Sequence, residues 1–252
     1  MLRNFLAAAI LCVGACWAQE PVRYVVRFPA PQTHYLEVEA SFPASGSSLE
    51  LFLPVWTPGS YLVREYERNI EDFRARDAAG NPLAWSKTRK NRWRVESRGA
   101  ARVTVTYKVY AHEPGVQGNW VDADFAMLNG AANFMTQVGA LTQPHEVTLD
   151  LPQSWRLSIS GMKNLAANRY LAPDYDELVD SPIYAGNAAV HEFEVDGKKH
   201  YLVNEGEGGV WDGPASAGAR RRSSAASFAH RLARARSARV LSSVERETPA
   251  AS

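Results

Sequence analysis

Residues 56 to 69 read WTPGSYLVREYERN and follow directly on the strand-like segment LELFLPV. Pro58 and Gly59 form the Pro-Gly pair typical of a tight turn, in which a fixed φ is followed by a permissive one. Beyond the turn, two tyrosines alternate with arginines and glutamates. This stretch therefore predicts a strand that ends in a sharp bend and presents large aromatic and charged side chains there.

Apolar residues alternate with polar ones over most of the chain. The period of two is found in VRYVVRF, HYLEVEASF, LELFLPV, RVTVTYKVYA, HEVTLDLP and WRLSIS, as expected of half-buried strands. Turn signals such as PASGSS separate these segments at spacings of about 10 to 20 residues, typical of sandwiches rather than of βαβ units. We predict an all-β, sandwich-like N-terminal domain over residues 19–190 with few short helices.

Two short segments favour helix, namely 164–170 and 173–179, the second stopped near Pro182. The segment FEVDGKKHYLV predicts a hairpin, because Asp196-Gly197 is a favoured dipeptide for two-residue turns. We assign this hairpin and the residues after it, 191–213, to a separate segment.

The first 18 residues have the features of a secretory signal peptide. Arg3 precedes the apolar run FLAAAILCVGA, which is short for a bilayer span and ends in small residues before Gln19. Cleavage after Ala18 would remove Cys12 and Cys16, leaving no thiol for a disulfide or a metal. The alternative is a lipoprotein held on a membrane through acylated Cys16. We expect a secreted or periplasmic protein, associated with a membrane only if Cys16 is lipidated.

The net charge of +1 conceals two oppositely charged parts. Residues 214–252 contain eight arginines, no lysine and two acids, whereas the rest of the chain without Arg3 contains 19 basic and 25 acidic residues. This tail, rich in Ala, Ser and Arg, has too little apolar surface to offset chain entropy, so we expect disorder. It is interpreted either as a polyanion-binding arm or as a GC-rich gene read in the wrong frame.

Once Cys12 and Cys16 are removed with the signal peptide, histidine is the first residue type to test as a zinc ligand, and the sequence has six. Three of them open a His-Glu pair, in HEPGV, HEVTL and HEFEV. A metalloprotease helix needs a second His four residues after the first, and no pair has it. The sequence also lacks a G-x-S-x-G elbow and a phosphate-binding loop. We predict no catalytic residue, no metal ligand and no cofactor in this chain.

Several segments carry a resemblance to a known family. LFLPVWTPGSYLVREYERNIEDFRA, VTVTYKVYA, FAMLNGAANFM and YDELVDSPI resemble the N-terminal domain of the glycyl aminopeptidases, family sixty-one of the zinc metallopeptidases. The resemblance covers about residues 22 to 203. It implies an all-β domain followed by a thermolysin-like catalytic domain with HExxH and a Glu zinc ligand, and often by a PDZ domain.

This sequence departs from that pattern downstream, where the basic tail stands in place of a zinc helix. The chain is therefore interpreted as a non-catalytic scaffold domain, truncated or frameshifted, with 191–213 beginning the joint to a catalytic domain. Zinc is expected only in that catalytic domain, which is the expected partner, and the chain alone is expected to be inactive.

Four residues of the opening stretch are candidates for an interface or the wall of a substrate cleft: Trp56, Tyr61, Arg64 and Tyr66. Aromatic and guanidinium groups are enriched at such surfaces. We expect Trp56, Tyr61 and Trp120 to rim an exposed apolar patch. The alternative is that Trp56 and Tyr61 plug the end of the sandwich while Arg64 and Glu65 form surface ion pairs, which contribute little stability.

Asn129 and Gly130 raise a similar choice. In more distant zinc aminopeptidases a polar residue of a comparable β-domain helps to hold the substrate's amino end, and LNGAANF resembles such a loop. The Asn129 carbonyl is then the acceptor for an ammonium group, whereas the alternative is a structural Asn-Gly turn.

Two further function classes stay open. A free-standing secreted module could bind peptide or carbohydrate through its tryptophans, and a separate regulatory chain could dock on a catalytic subunit. No nucleic acid partner is expected.

Overall fold

The computed structural model describes residues 20–60, 62–115, 117–206, 209 and 211–218. The expected signal peptide, Tyr61 and residues 219–252 of the basic tail lie outside the described residues. The chain divides into two compact units, Met1–Gly186 and Asn187–Ser252. No helix among the described residues is long and apolar enough to cross a membrane.

The first unit is built mainly of short strands. Its strands are β1 (Val22–Arg27), β2 (Tyr35–Pro43), β3 (Leu49–Phe52), β4 (Ile70–Asp77), β5 (Trp85–Arg89), β6 (Arg92–Val95), β7 (Arg102–Tyr110), β8 (Trp120–Val121), β9 (Ala126–Leu128), β10 (Thr136–Gln137), β11 (His145–Asp150), β12 (Leu157–Ser160), β13 (Lys163–Ala166), β14 (Arg169–Ala172) and β15 (Ile183–Gly186). Its helices are α1 (Gly130–Asn133) and α2 (Tyr175–Asp180), with 3₁₀ turns at Pro31–Thr33 and Tyr66–Asn69.

Three sheets enclose the core of this unit. The largest has seven strands in the order β13-β14-β11-β1-β2-β7-β4, and two four-stranded sheets have the orders β10-β3-β6-β5 and β12-β15-β9-β8. Neighbouring strands are antiparallel except β1 and β11, which are parallel. The predicted all-β sandwich architecture is confirmed.

The alternating pattern of the sequence explains which face of each strand is buried. In β2 the residues Leu36, Val38, Ala40 and Phe42 are buried, while the intervening positions are partly exposed. Burial of a large apolar side chain contributes about 1.5–3 kcal/mol. Phe73 of β4 stacks on Trp93 of β6 at 5.7 Å between ring centroids and so joins the seven-stranded sheet to a smaller one.

One of the two predicted helices is correct and the other is wrong. Helix α2 begins after Asp174, whose carboxylate caps it by accepting from the backbone N–H of Glu177 at 2.8 Å. The segment 164–170 instead forms the β13–β14 hairpin. Asn168 adopts a left-handed conformation there (φ 58°), and Tyr170 is buried, so turn chemistry and burial override a weak helix propensity.

In the second unit, β16 (Ala189–Val195) and β17 (Lys198–Asn204) form the hairpin predicted from Asp196-Gly197. Both turn residues have positive φ, 51° and 72°, as a type I′ turn requires. Residues 213–218 are helical.

Candidate functional site

The WTPGS segment forms the tight turn predicted from its Pro-Gly pair. The backbone N–H of Ser60 donates to the Thr57 carbonyl at 3.1 Å, with Pro58 at the second position and Gly59 at the third. Gly59 has φ +79°, the value that a type II turn needs and that other residues adopt only with strain. Arg64 N–H donates to the Val55 carbonyl at 2.7 Å and closes the longer loop around this turn.

Three large apolar side chains of this loop are exposed to solvent: Trp56 at 54%, Leu62 at 60% and Val63 at 62%. Trp56 therefore does not plug the end of the sandwich. Trp120, by contrast, is partly buried, with its ring 4.8 Å from that of His112 and 6.0 Å from that of His34.

The structure brings the WTPGS turn and the LNGAANF loop together. The Asn129 side-chain amide donates to the Thr57 hydroxyl at 3.1 Å, and that hydroxyl lies 3.2 Å from Asn129 Oδ1. Asn129 is only 5% exposed, and its backbone N–H donates to the side chain of Asn119 at 2.9 Å. The turn is thus fixed from beneath by a buried polar network, in which each group left without a partner is costly.

Asn129 also shapes the start of α1. Its Oδ1 caps the helix by accepting from Ala131 N–H at 3.0 Å, and its carbonyl accepts from the Asn133 side chain at 2.7 Å and from Ala132 N–H at 3.1 Å. The carbonyl proposed for an ammonium group is therefore already bonded within the fold, and the Asn-Gly pair begins a helix.

Gly130 permits α1 to contact α2 closely. A Cβ atom added at Gly130 would lie 2.3 Å from the carbonyl oxygen of Leu178 and 2.9 Å from Val179 Cα. Only glycine fits there, because Cβ atoms essentially never approach backbone so closely. The position of α2 is consequently tied to that of the LNGAANF loop.

Arg64 and Tyr66 bind a neighbouring loop instead of forming one exposed surface with Trp56. Tyr66 is 2% exposed, and its hydroxyl donates to the Gln117 carbonyl at 2.7 Å, so its expected place on an exposed surface is wrong. Arg64 donates to Gln117 Oε1 at 3.3 Å and lies 3.6 Å from the Glu113 carboxylate. Burial raises the pKa of Tyr66 above its ordinary value. Glu65 pairs with Lys90 at 2.7 Å.

A groove of about 620 Å³ lies between the turn and α2. Its apolar lining comes from six residues: Phe52, Pro54, Pro58, Leu141, Tyr175 and Val179. Trp56 and four carboxylates complete it, namely Asp174, Asp176, Glu177 and Asp180. None of these acids was a candidate from the sequence, although the Asp-x-x-Glu capping pattern before an apolar residue indicates a charged helix start.

His145 lies in the core beside the same region. It is fully buried, its Nδ1 lies 3.1 Å from the Tyr24 hydroxyl, and its ring centroid lies 5.3 Å from that of Tyr175. Desolvation lowers the pKa of His145 to about 4. Within the described ranges, no group of three or more His, Cys, Asp or Glu side chains could hold a metal ion.

The fold is an all-β domain of three sheets with a buried polar network beside the WTPGS turn. The model of the Peptidase M61 N-terminal domain matches residues 23–187. The chain belongs to this family, as its sequence resemblance implied. No curated protein matches the chain significantly.

Solved structures similar to this chain include an aminopeptidase N family protein from Idiomarina loihiensis, with 29% identity and a TM-score of 0.68, covering 72% of this chain and 32% of that protein. A mutant M1 zinc metallopeptidase from Deinococcus radiodurans bound to a Tyr-Ser-Ala substrate has 11% identity and a TM-score of 0.42, covering 73% and 46%. Aminopeptidase A from Legionella pneumophila in complex with aspartic acid has 14% identity and a TM-score of 0.44, covering 73% and 23%. The chain thus spans about a third of the length of the Idiomarina protein.

Proposed function

We propose that this chain is the non-catalytic scaffold domain of a secreted glycyl aminopeptidase-like zinc enzyme. In this proposal it docks on a catalytic metallopeptidase domain and forms part of the wall of the substrate cleft. Family membership supports the assignment as an N-terminal domain of such an enzyme. The single observation that supports docking is the exposed apolar loop with Trp56, Leu62 and Val63. Zinc and the hydrolytic residues are then supplied by the partner domain, so no chemical step is assigned to this chain.

The loop is suited to docking because hydrogen bonds hold Thr57 and Arg64 on either side of it, while Trp56, Leu62 and Val63 face water. The Thr57–Asn129 contact and the Arg64–Val55 hydrogen bond hold it in place. A preorganised loop loses little conformational entropy on association. Several exposed large apolar side chains in one loop indicate an interaction surface, and Trp is enriched among the residues that dominate binding energy at interfaces.

Docking can be tested against the remainder of the Idiomarina loihiensis protein, expressed without the domain that this chain resembles. We expect the full-length chain to bind that fragment and to restore its cleavage of glycyl substrates. Replacement of Leu62 and Val63 by serine should weaken binding by about tenfold or more, because two interface side chains lose apolar burial. Matched replacements at Leu165 and Val138, exposed apolar residues outside this loop, are the control. Equal weakening by both pairs would contradict the proposal.

Export is the second part of the proposal, supported by the signal-like composition of residues 1–18. We expect the mature protein to begin at Gln19 and to be found in the periplasm or the medium. Mass spectrometry of the exported protein tests this. An acylated Cys16 would establish the lipoprotein alternative instead.

A free-standing peptide-binding module is a second candidate function, and the groove beside Trp56 is the observation that favours it. This function predicts peptide binding by the chain without any catalytic partner.

A further inference from the structure

The sequence joins Asn or Asp to a following glycine at Asn129-Gly130, Asp196-Gly197 and Asp212-Gly213. Such pairs are chemically labile, because glycine has no side chain to keep its backbone nitrogen away from the side-chain carbonyl carbon of the residue before it. In an unstructured peptide the Asn-Gly pair reacts fastest, since an ionised carboxylate is a poorer electrophile than an amide. General chemistry therefore ranks Asn129 first among these residues.

The fold protects the Asn129-Gly130 pair. Asn129 is 5% exposed, its Oδ1 accepts from Ala131 N–H at 3.0 Å, and its side-chain amide donates to the Thr57 hydroxyl at 3.1 Å. Gly130 lies directly against the backbone of Leu178. Rotation of the side-chain amide toward the Gly130 nitrogen would leave these buried groups without partners, which is costly. The pair is therefore held away from reaction in the folded chain.

The Asp212-Gly213 pair is restrained by a single hydrogen bond. Asp212 is exposed, and its Oδ1 accepts from Ala215 N–H at 2.8 Å at the start of the helical residues 213–218. This hydrogen bond has to break before the carboxyl carbon can meet the Gly213 nitrogen, which slows the reaction.

The Asp196-Gly197 pair has neither restraint. Both residues are exposed and form the two-residue turn between β16 and β17. Among the described residues, no hydrogen bond or ion pair of the Asp196 side chain is found, and the ion pair of this hairpin joins Lys199 to Glu192. The hairpin is a sheet of only two strands, and such a sheet is marginally stable by itself in water. Local opening of the turn is therefore frequent.

We propose that Asp196 is the residue at which this chain isomerises spontaneously to isoaspartate. The Gly197 backbone nitrogen attacks the side-chain carboxyl carbon of Asp196, so that an N–C bond forms and a C–O bond breaks. The departing oxygen leaves as water, with the amide proton of Gly197 and a proton from solvent. Water then opens the cyclic imide, and attack at the main-chain carbonyl breaks the original peptide bond and leaves the chain running through the side chain. No group is oxidised or reduced.

Isomerisation changes the turn itself, because the product adds one carbon to the main chain. The parent turn has positive φ at both residues, 51° and 72°, and sets the register in which Val195 faces Lys198. A lengthened turn does not keep this type I′ geometry, so the register of the hairpin is lost. The inference does not depend on the proposed docking function, since it concerns the covalent chemistry of this chain alone.

The test incubates the purified full chain at neutral pH and physiological temperature, with and without urea, and samples it over weeks. Labelling by an isoaspartyl methyltransferase counts isoaspartate, and peptide mapping with electron-transfer fragmentation locates it. In the folded chain we expect isoaspartate to form at Asp196 about tenfold faster than at Asp212 or Asn129, because only local opening of the hairpin is needed. In urea, Asn129 should become the fastest site.

Asp196→Asn gives a matched comparison within one molecule. It places a second Asn-Gly pair in the exposed turn, where that dipeptide suits a type I′ geometry, so identical chemistry is measured in two environments. We expect the new pair to deamidate about tenfold faster than Asn129 in the folded chain and at a similar rate in urea. Asp196→Glu lengthens the side chain and should abolish isomerisation at the turn without changing the rate at Asp212.

Hydrogen exchange measures the structural consequence. After incubation the parent should exchange faster in β16 and β17, with exchange in β1 to β15 unchanged, whereas Asp196→Glu incubated for the same time should keep its protection. Retained protection of an isomerised hairpin would overturn this consequence. The assignment of the site is overturned by earlier reaction at Asn129 in the folded chain, by equal rates at Asp196 and Asp212, or by the same order of sites with and without urea.

Discussion

His145 shows how one buried residue makes stability depend on pH. Its pKa is lowered to about 4 in the folded protein by desolvation, from an ordinary value of 6.5. The unfolded chain therefore binds more protons between these two values, and stability falls as the pH decreases through this window. A shift of this size corresponds to roughly 3 kcal/mol, fully present above the higher pKa and lost below the lower one.

Replacement of His145 by phenylalanine tests this, because it keeps a ring beside Tyr24 and removes the titration. The Tyr24 hydroxyl retains its hydrogen bond to the Met135 carbonyl at 2.8 Å. Urea unfolding at about pH 7 and about pH 4 should show a decrease in stability that is smaller by roughly 2–3 kcal/mol in the variant. His112→Phe, at an exposed position, should decline as the parent does. Identical declines in all three proteins would refute the assignment.

Gly130 gives a second prediction at the scale of one residue. Gly130→Ala should lower the free energy of unfolding by about 1–3 kcal/mol, because its Cβ would overlap the Leu178 backbone. Gly161→Ala is the control, since no atom lies within 4 Å of its added Cβ and its φ is not in the left-handed range. Chemical denaturation of both variants tests this, and comparable stability would show that α2 can move away without cost.

The sequence predicted single residues well where their environment is local. Pro58 and Gly59 determine their turn through their own φ preferences, so the bend was predictable. The burial of Tyr66 was not predictable, because its partner Gln117 is 51 residues away in the sequence. No short-range sequence pattern indicates such a contact. For the same reason the sequence analysis treated the WTPGS turn and Asn129 as separate features, although Thr57 of the turn shares a hydrogen bond with Asn129.

At the scale of elements, we expect the WTPGS turn to be stabilised by its hydrogen bond to Asn129, the residue that caps α1. Thr57→Val removes a hydroxyl at constant shape and leaves the side-chain amide of Asn129 without this acceptor. We expect faster hydrogen exchange of Arg64 N–H, which closes the loop, and a stability loss of about 1–3 kcal/mol.

The matched control is Thr148→Val in β11, a partly exposed position in a different part of the unit. It should leave the exchange of Arg64 N–H unchanged. If Thr57→Val does the same, the loop is held by its own turn and not by the buried network.

Strands were easier to predict than helices for a physical reason. Each long strand buries one face, so every second residue is apolar and the sequence alternates visibly. In β7 the buried residues are Val103, Val105, Tyr107 and Val109. Helix α2 could be predicted because its capping residue Asp174 is adjacent in sequence. The 164–170 segment was wrongly predicted as helix because Tyr170 is buried by pairing with β11. Local helix propensity carries no information about such a long-range pairing.

At the scale of the whole molecule, the fold brings three distant segments to one place. The WTPGS turn, the LNGAANF loop and α2 surround or support one acidic groove, although they lie far apart in sequence. Their convergence could not be predicted from composition, because the overall charge of the body is spread over many paired acids. The exposed loop and the groove share Trp56, so a partner bound to the loop would cover one wall of the groove.

The last prediction concerns the metal. None of the three His-Glu pairs has a second His at the spacing of a zinc helix, His145 is buried in the core, and the described part of the chain holds no cluster able to bind a metal. We therefore expect the purified chain to hold less than one equivalent of zinc after dialysis and to leave glycyl and alanyl substrates uncleaved. Elemental analysis and a fluorogenic peptidase assay measure this, with the Idiomarina loihiensis protein assayed in parallel. One tightly held equivalent of zinc, together with cleavage that a chelator abolishes, would place the catalytic site in this chain and overturn its role as a scaffold.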